Sequence, residues 1–196
     1  MSLRFAELDA TDPAAVEGYE RAFHAAFSRV SGNRLIRNLW LWDDPAARLA
    51  TRIPYDEQIV LLGWNAAGEI ETAMSFNFAM REFQSSAFGF APPEPTEGTC
   101  ELIVFFTLGH RHLSRVVSNL IHCYAEMRAR GFHTAYATTA PRPLPTYRRI
   151  GGTEVVDERE IDGEMRYFLR VDLARFQGRE GSSGLVLDEA EDLHDR

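Results

Sequence analysis

Apolar and polar residues alternate through "LRFAELDA" (3–10), which predicts a first β-strand. A helix start follows at once: Thr11 or Asp12 can cap, and Pro13 suits the first turn. Val16, Tyr19, Phe23, Ala26, Phe27 and Val30 then recur at helical spacing, so a helix is expected from Ala14 to about Val30, ended by Ser31-Gly32. "NRLIRNLWLWDDPAARLA" (33–50) reads as a second, shorter helical stretch interrupted before Pro45. "QIVLLGWNAAGEIETAMSFNFAM" (58–80) is a hairpin with Gly68 in its turn. Residues 81–98 read as a long loop carrying Pro and Phe.

The second half is patterned as clearly. "TCELIVFFTL" (99–108) is a continuous apolar strand, as expected when both faces are covered. Leu113, Val116, Val117, Leu120, Ile121, Tyr124 and Met127 form a helical stripe closed by Gly131. "TAYATT" (134–139) predicts another strand, "PRPLPTYRRIGG" (141–152) a turn and short helix, and residues 153–173 a hairpin folded at Asp162-Gly163. The expected order is β–α–α–β–β–β–α–β–α–β–β. Crossover helices among hairpins imply a single α/β (α+β layered) domain with a mixed central sheet of about seven strands. That domain spans 1–176; residues 177–196 carry six acids against two bases and read as a disordered acidic tail.

Composition narrows this only slightly. The 196 residues are 45% hydrophobic and 26% charged, an ordinary globular mixture with enough chain for a real core. A net charge of −8 argues against nucleic-acid binding. The absence of any long apolar run argues against a membrane span. Cys100 and Cys123 sit in apolar stretches and are expected as buried thiols in a cytoplasmic protein. All 21 basic residues are arginine, which genome composition alone could produce, yet each is a planar fork suited to phosphate or carboxylate.

Glu101 is one acid inside an otherwise apolar strand. Burial would push its carboxyl toward neutral pH and make it a candidate general base; alternatively it pairs with an arginine or faces water. The turn after that strand, "LGHRHLSR" (108–115), stands where backbone N–H groups gather at a helix start and hold phosphate. It has one glycine and two arginines, Arg111 and Arg115, so charged forks replace backbone contacts if it is a phosphate site; otherwise the charges are solvated. His110-x-His112 is too little for a closed metal site, and no metal is expected. Phe76, Phe78, Phe83, Phe88 and Phe90, with Trp40 and Trp42, fit either an apolar pocket or core and dimer packing.

The element order, the hairpin "VLLGWNAAGEIETA" and "ARGFHTAYATTAPRPLPTYRRIGG", with Tyr147 and Gly151 in a Y-x-x-x-G spacing, resemble the GNAT superfamily of acyl-CoA N-acyltransferases over roughly residues 3–173. The resemblance implies transfer of an acyl group, acetyl in the usual case, from acetyl-CoA or another acyl-CoA to a small-molecule primary amine by direct attack. Glu101 would be the base and Tyr147 the acid that protonates the leaving thiolate. Phe106, Thr107, Leu108, Gly109, His110, Arg111, His112, Leu113, Ser114 and Arg115 would border the coenzyme. The usual Arg/Gln-x-x-Gly-x-Gly/Ala run is replaced by His112, Arg115 and Val117 at its key positions. A fainter resemblance joins "Glu101-Leu102" to the Glu-Leu-Ser-Arg run of acyl-homoserine-lactone synthases. It implies acyl carrier protein as donor; in the family's layout Arg142, Arg148 and Arg149 would form a basic mouth suited either to CoA phosphates or to such an acidic carrier protein. A non-catalytic binding or regulatory module and a homodimer are further readings of the same fold.

Overall fold

The structure, a computed structural model, describes residues 3–94, 96–108 and 113–176. Its main element is a seven-stranded mixed sheet formed by β1 (Arg4–Glu7), β4 (Gln58–Trp64), β5 (Ile70–Asn77), β6 (Thr99–Thr107), β7 (Thr134–Thr139), β9 (Glu164–Asp172) and β8 (Thr153–Ile161), in that spatial order. Neighbours are antiparallel except β6 and β7, which run parallel. That pair needs a crossover, supplied by α3 (Leu113–Ala129). The other helices are α1 (Pro13–Phe27), α2 (Arg34–Leu39) and α4 (Leu144–Arg149).

Each face of the sheet carries its own core. α3 lays Leu120, Tyr124 and Met127, all fully buried, on one face, against Phe76, Cys100 and Leu169. α1 lays Tyr19 and Phe23 on the other, where they stack on Phe106 with ring centroids 6.4 and 6.0 Å away. Side chains of this size contribute about 1.5–3 kcal/mol each when buried. Asp12 starts α1 by accepting from Ala14 N at 2.9 Å. Two residues beyond α3, Gly131 at a φ of +95° turns the chain toward β7. The turn between β8 and β9 has Asp162 at φ +50° and Gly163 at +79°, the left-handed pair a tight hairpin needs.

The expected strands and helices are present, with one correction. Residues 41–50 are not helical: they form a small hairpin of β2 (Leu41–Asp43) and β3 (Arg48–Ala50). Trp40 ends α2 and Trp42 lies in β2. Asp43 Oδ1 accepts from Ala46 N at 3.2 Å and folds the chain back around Pro45. The loop at 81–98 contains a 3₁₀ turn, Gln84–Phe88. Both cysteines are free and buried. No helix among the described residues is long and apolar enough to cross a membrane. The acidic stretch 177–196 lies outside the described residues.

Candidate active site

Strands β6 and β7 pair only over Thr99–Leu102 and Thr134–Ala137. On its other edge β6 stays paired with β5 as far as Thr107. The β5–β6 register slips at Ser75/Phe76, where Leu102 and Val104 take consecutive partners and Ile103 is the extra residue. Ile103 and Val104 consequently both belong to the α1-side core, while Phe105 packs on the α3 side. Such a bulge bends a strand and raises its twist. It lies one residue past the last bond to β7, so the two parallel strands diverge there. Gln84 Nε2 donates to the Ile103 carbonyl at 2.8 Å.

The gap is a cavity of about 270 Å³. Its walls come from both layers: Phe105, Leu120 and Tyr147 from one, Leu39, Trp40 and Phe88 from the other. It therefore passes through the sheet where the ladder opens. Among the described residues that line it, Arg166 is the one charged side chain. Its guanidinium binds Glu164 Oε2 at 2.5 Å and Met165 O at 3.1 Å, and lies 5.8 Å from the Phe88 ring centre.

Glu101 stands on β6 just before the gap, fully buried. Oε1 accepts from Ser85 N and Ser85 Oγ, both at 2.7 Å. Oε2 accepts from Gln84 N at 2.8 Å and Asn77 Nδ2 at 3.4 Å. Two of these donors are backbone groups opening the 3₁₀ turn at 84–88, a place where N–H groups have no partner of their own. Burial raises the Glu101 carboxyl above its ordinary range, and the donors from Ser85, Gln84 and Asn77 pull against that rise without cancelling it. Among the described residues no arginine pairs with it, and Glu101 does not line the cavity.

Tyr147 does line it. It sits on α4, buried, and burial raises its hydroxyl far above the ordinary phenol range. It stays protonated at neutral pH and can donate a proton or hydrogen bond there. Arg142, Arg148 and Arg149 are exposed on and before α4, beside Pro143 and Thr146 of the cavity wall.

The remaining expected residues divide. Gly109, His110, Arg111 and His112 lie outside the described residues. Phe106 packs its ring into the α1-side core against Tyr19 and Phe23, so any contact it makes with a coenzyme would fall to its backbone. Thr107 hydrogen-bonds Thr72 across the strands at 3.2 Å, and Leu108 N donates to Glu71 O at 2.6 Å. Leu113 and Ser114 are exposed at the start of α3. Arg115 forms an ion pair with Glu71 at 3.1 Å, and neither it nor Val117 lines the cavity. The aromatic surplus divides between the cavity wall and core packing. Phe88 and Trp40 line the cavity, whereas Phe83 and Phe90 pack on Phe168 with centroids 5.8 and 5.1 Å away. Sequence reasoning missed Gln84, Ser85 and Thr138; a Gln-Ser pair in a loop and a threonine in a strand carry no signal of their own.

No protein-family model and no curated protein sequence matches the chain. Solved structures do. TofI, solved in a ternary complex with an inhibitor and MTA, superposes with a TM-score of 0.70 at 18% identity, over 88% of this chain and 92% of its own. BjaI, a CoA-dependent acyl-homoserine lactone synthase solved with SAM and isopentyl-CoA, gives 0.67 at 11% identity over 88% and 83%. An aminoglycoside 6′-acetyltransferase type Ii gives 0.57 at 11% identity over 87% and 97%. At such identities the likeness is one of fold, and the fold is the GNAT acyltransferase fold that the sequence motifs resemble.

Proposed function

We propose that this chain is an N-acyltransferase that seats the acyl group of a thioester in the gap between β6 and β7 and passes it to a primary amine by direct attack. The observation that carries the reading is the opening of the ladder after Leu102 and Ala137 into an apolar cavity with Tyr147 in its wall. Past that point the β7-facing edge of β6 is free of the β7 ladder, and a backbone N–H there can polarise the thioester carbonyl. The amine nitrogen forms the new C–N bond, the C–S bond breaks, and Tyr147 gives a proton or hydrogen bond to the departing sulfur. Glu101 takes the proton that the nitrogen loses.

The cavity is larger than an acetyl group needs, and its apolar walls suit a branched or medium-length chain. Superposition on BjaI, closer than on the aminoglycoside acetyltransferase, supports the same direction. S-adenosylmethionine is therefore the first acceptor to try and hexanoyl-CoA the first donor, with hexanoyl-carrier protein beside it because of Arg142, Arg148 and Arg149. Thiol release with these pairs is expected, and Tyr147→Phe should lower kcat by about 100-fold with little change in KM. A Tyr147→Phe protein as fast as the wild type would remove Tyr147 from the chemistry.

A further inference from the structure

The hydrogen bonds between Glu101 and the cavity have a direction. Thr138 Oγ1 donates to Ser85 Oγ at 2.8 Å, and Ser85 Oγ donates to Glu101 Oε1 at 2.7 Å. Each hydroxyl has a single hydrogen to give. The other groups on the carboxylate cannot reverse: Gln84 N and Ser85 N are backbone donors. Asn77 is oriented by its own Oδ1, which accepts from Met80 N at 3.0 Å. An ionised Glu101 therefore obliges Ser85 to donate inward and to accept from Thr138. The hydrogen of Thr138 is spent, and its side chain offers lone pairs alone to further partners. Thr138 is half-buried and lines the cavity, whereas Glu101 is sealed behind it. Protonating Glu101 lets both hydroxyls swing the other way.

From this chain of bonds we infer that Thr138 and Ser85 relay a proton from an amine in the cavity to Glu101, with Thr138 Oγ1 the atom that touches the amine. The inference rests on the acyl-transfer reading and assigns its general base an outlet. As nitrogen bonds to the thioester carbon, its proton moves to Thr138 Oγ1, the Thr138 proton to Ser85 Oγ, and the Ser85 proton to Glu101 Oε1. The C–S electron pair leaves with sulfur. One proton has then entered the carboxylate, and the reverse hops return it to the thiolate or to water. A substrate atom beside Thr138 must consequently carry a hydrogen, which fits an amine nucleophile and disfavours a carbonyl at that point. The other titratable groups nearby are Tyr147 and Arg166 in the cavity wall, Cys100 next to Glu101 in the strand, and Tyr136, the register partner of Glu101 on β7, whose ring stacks on Phe168. The Tyr147 phenol and the Cys100 thiol are held protonated by burial, and a guanidinium is permanently charged.

The test measures thiol release from hexanoyl-CoA with S-adenosylmethionine and with a panel of simple primary amines, across pH 6 to 9. Thr138→Val and Ser85→Ala should each lower kcat/KM by about 100-fold near neutral pH, while Thr138→Ser stays within about threefold of wild type. The Thr138→Val deficit should shrink as pH rises, because solution then supplies the neutral amine. Thermal melts of the three variants run alongside, and a folded Thr138→Ser protein decides the case if another variant fails to fold. Thr138→Val at wild-type speed, or a deficit equal in Thr138→Ser, or one that ignores pH, overturns the relay while leaving acyl transfer standing. A wild-type chain that releases no thiol with any pair overturns both.

Discussion

Glu101→Leu is expected to lower folding stability by about 4 kcal/mol, which for a domain of this size is a drop of about 10 °C in melting temperature. The leucine fills the space but accepts nothing. Gln84 N, Ser85 N and the Ser85 hydroxyl, now donating to a carboxylate inside the core, would lose their acceptor together. Each buried donor left unmet costs about 1–3 kcal/mol, and losses above 4 kcal/mol are rare for single substitutions. Glu101→Gln separates stability from chemistry. Its amide can donate to Ser85 Oγ, leaving about one donor unmatched, so it should cost only about 1–3 kcal/mol while transfer falls at least about 100-fold.

The pH dependence of stability follows from the same residue. The folded protein holds the Glu101 carboxyl above its unfolded value. Between those two values the folded state binds the extra proton, so this group's contribution is complete below the ordinary glutamate range. It is lost as pH rises through the folded value. Denaturant unfolding of wild type and Glu101→Gln, compared from pH 4 upward, should show the difference between them narrowing as pH rises. A gap that widens would mean that Glu101 ionises more readily in the folded chain than in the unfolded one.

Ala137→Phe is expected to abolish acyl transfer without unfolding the protein. Ala137 holds the last ladder position before the strands part; it is buried and lines the cavity. A phenyl group there has the empty gap to enter, so the usual overpacking cost of about 1–3 kcal/mol should fall at the low end. The ring then occupies the space assigned to the acyl chain. A folded Ala137→Phe protein that still turns over hexanoyl-CoA would show that the acyl group binds elsewhere.

Much of the fold was legible because each large element declares itself locally. The stripe from Leu113 to Met127, the apolar run from Thr99 to Leu108 and the Asp162-Gly163 turn all carry their own signal. The hairpin at 41–50 did not, since three-residue strands give no period to read and "LWLW" sits as well on a helix face. Glu101 stood out as an acid among apolar neighbours, and Tyr147 through the resemblance of its Y-x-x-x-G segment to the GNAT superfamily. The rest of the site depends on contacts across long stretches of chain. Ser85 and Thr138 meet only because the 3₁₀ turn packs on the sheet beside β7. Arg115, read as a phosphate ligand, is met by Glu71 from a strand more than forty residues earlier, and only the folded sheet brings that partner within reach.

The central claim is that the gap between β6 and β7 receives an acyl chain. Amide hydrogen exchange at 103–107 and 137–140, measured with hexanoyl-CoA and with free CoA, tests it directly. Exchange in both segments should slow with hexanoyl-CoA, stay close to the unliganded rate with free CoA, and ignore hexanoyl-CoA in Ala137→Phe. Equal protection by both ligands, or protection confined to other strands, would contradict it.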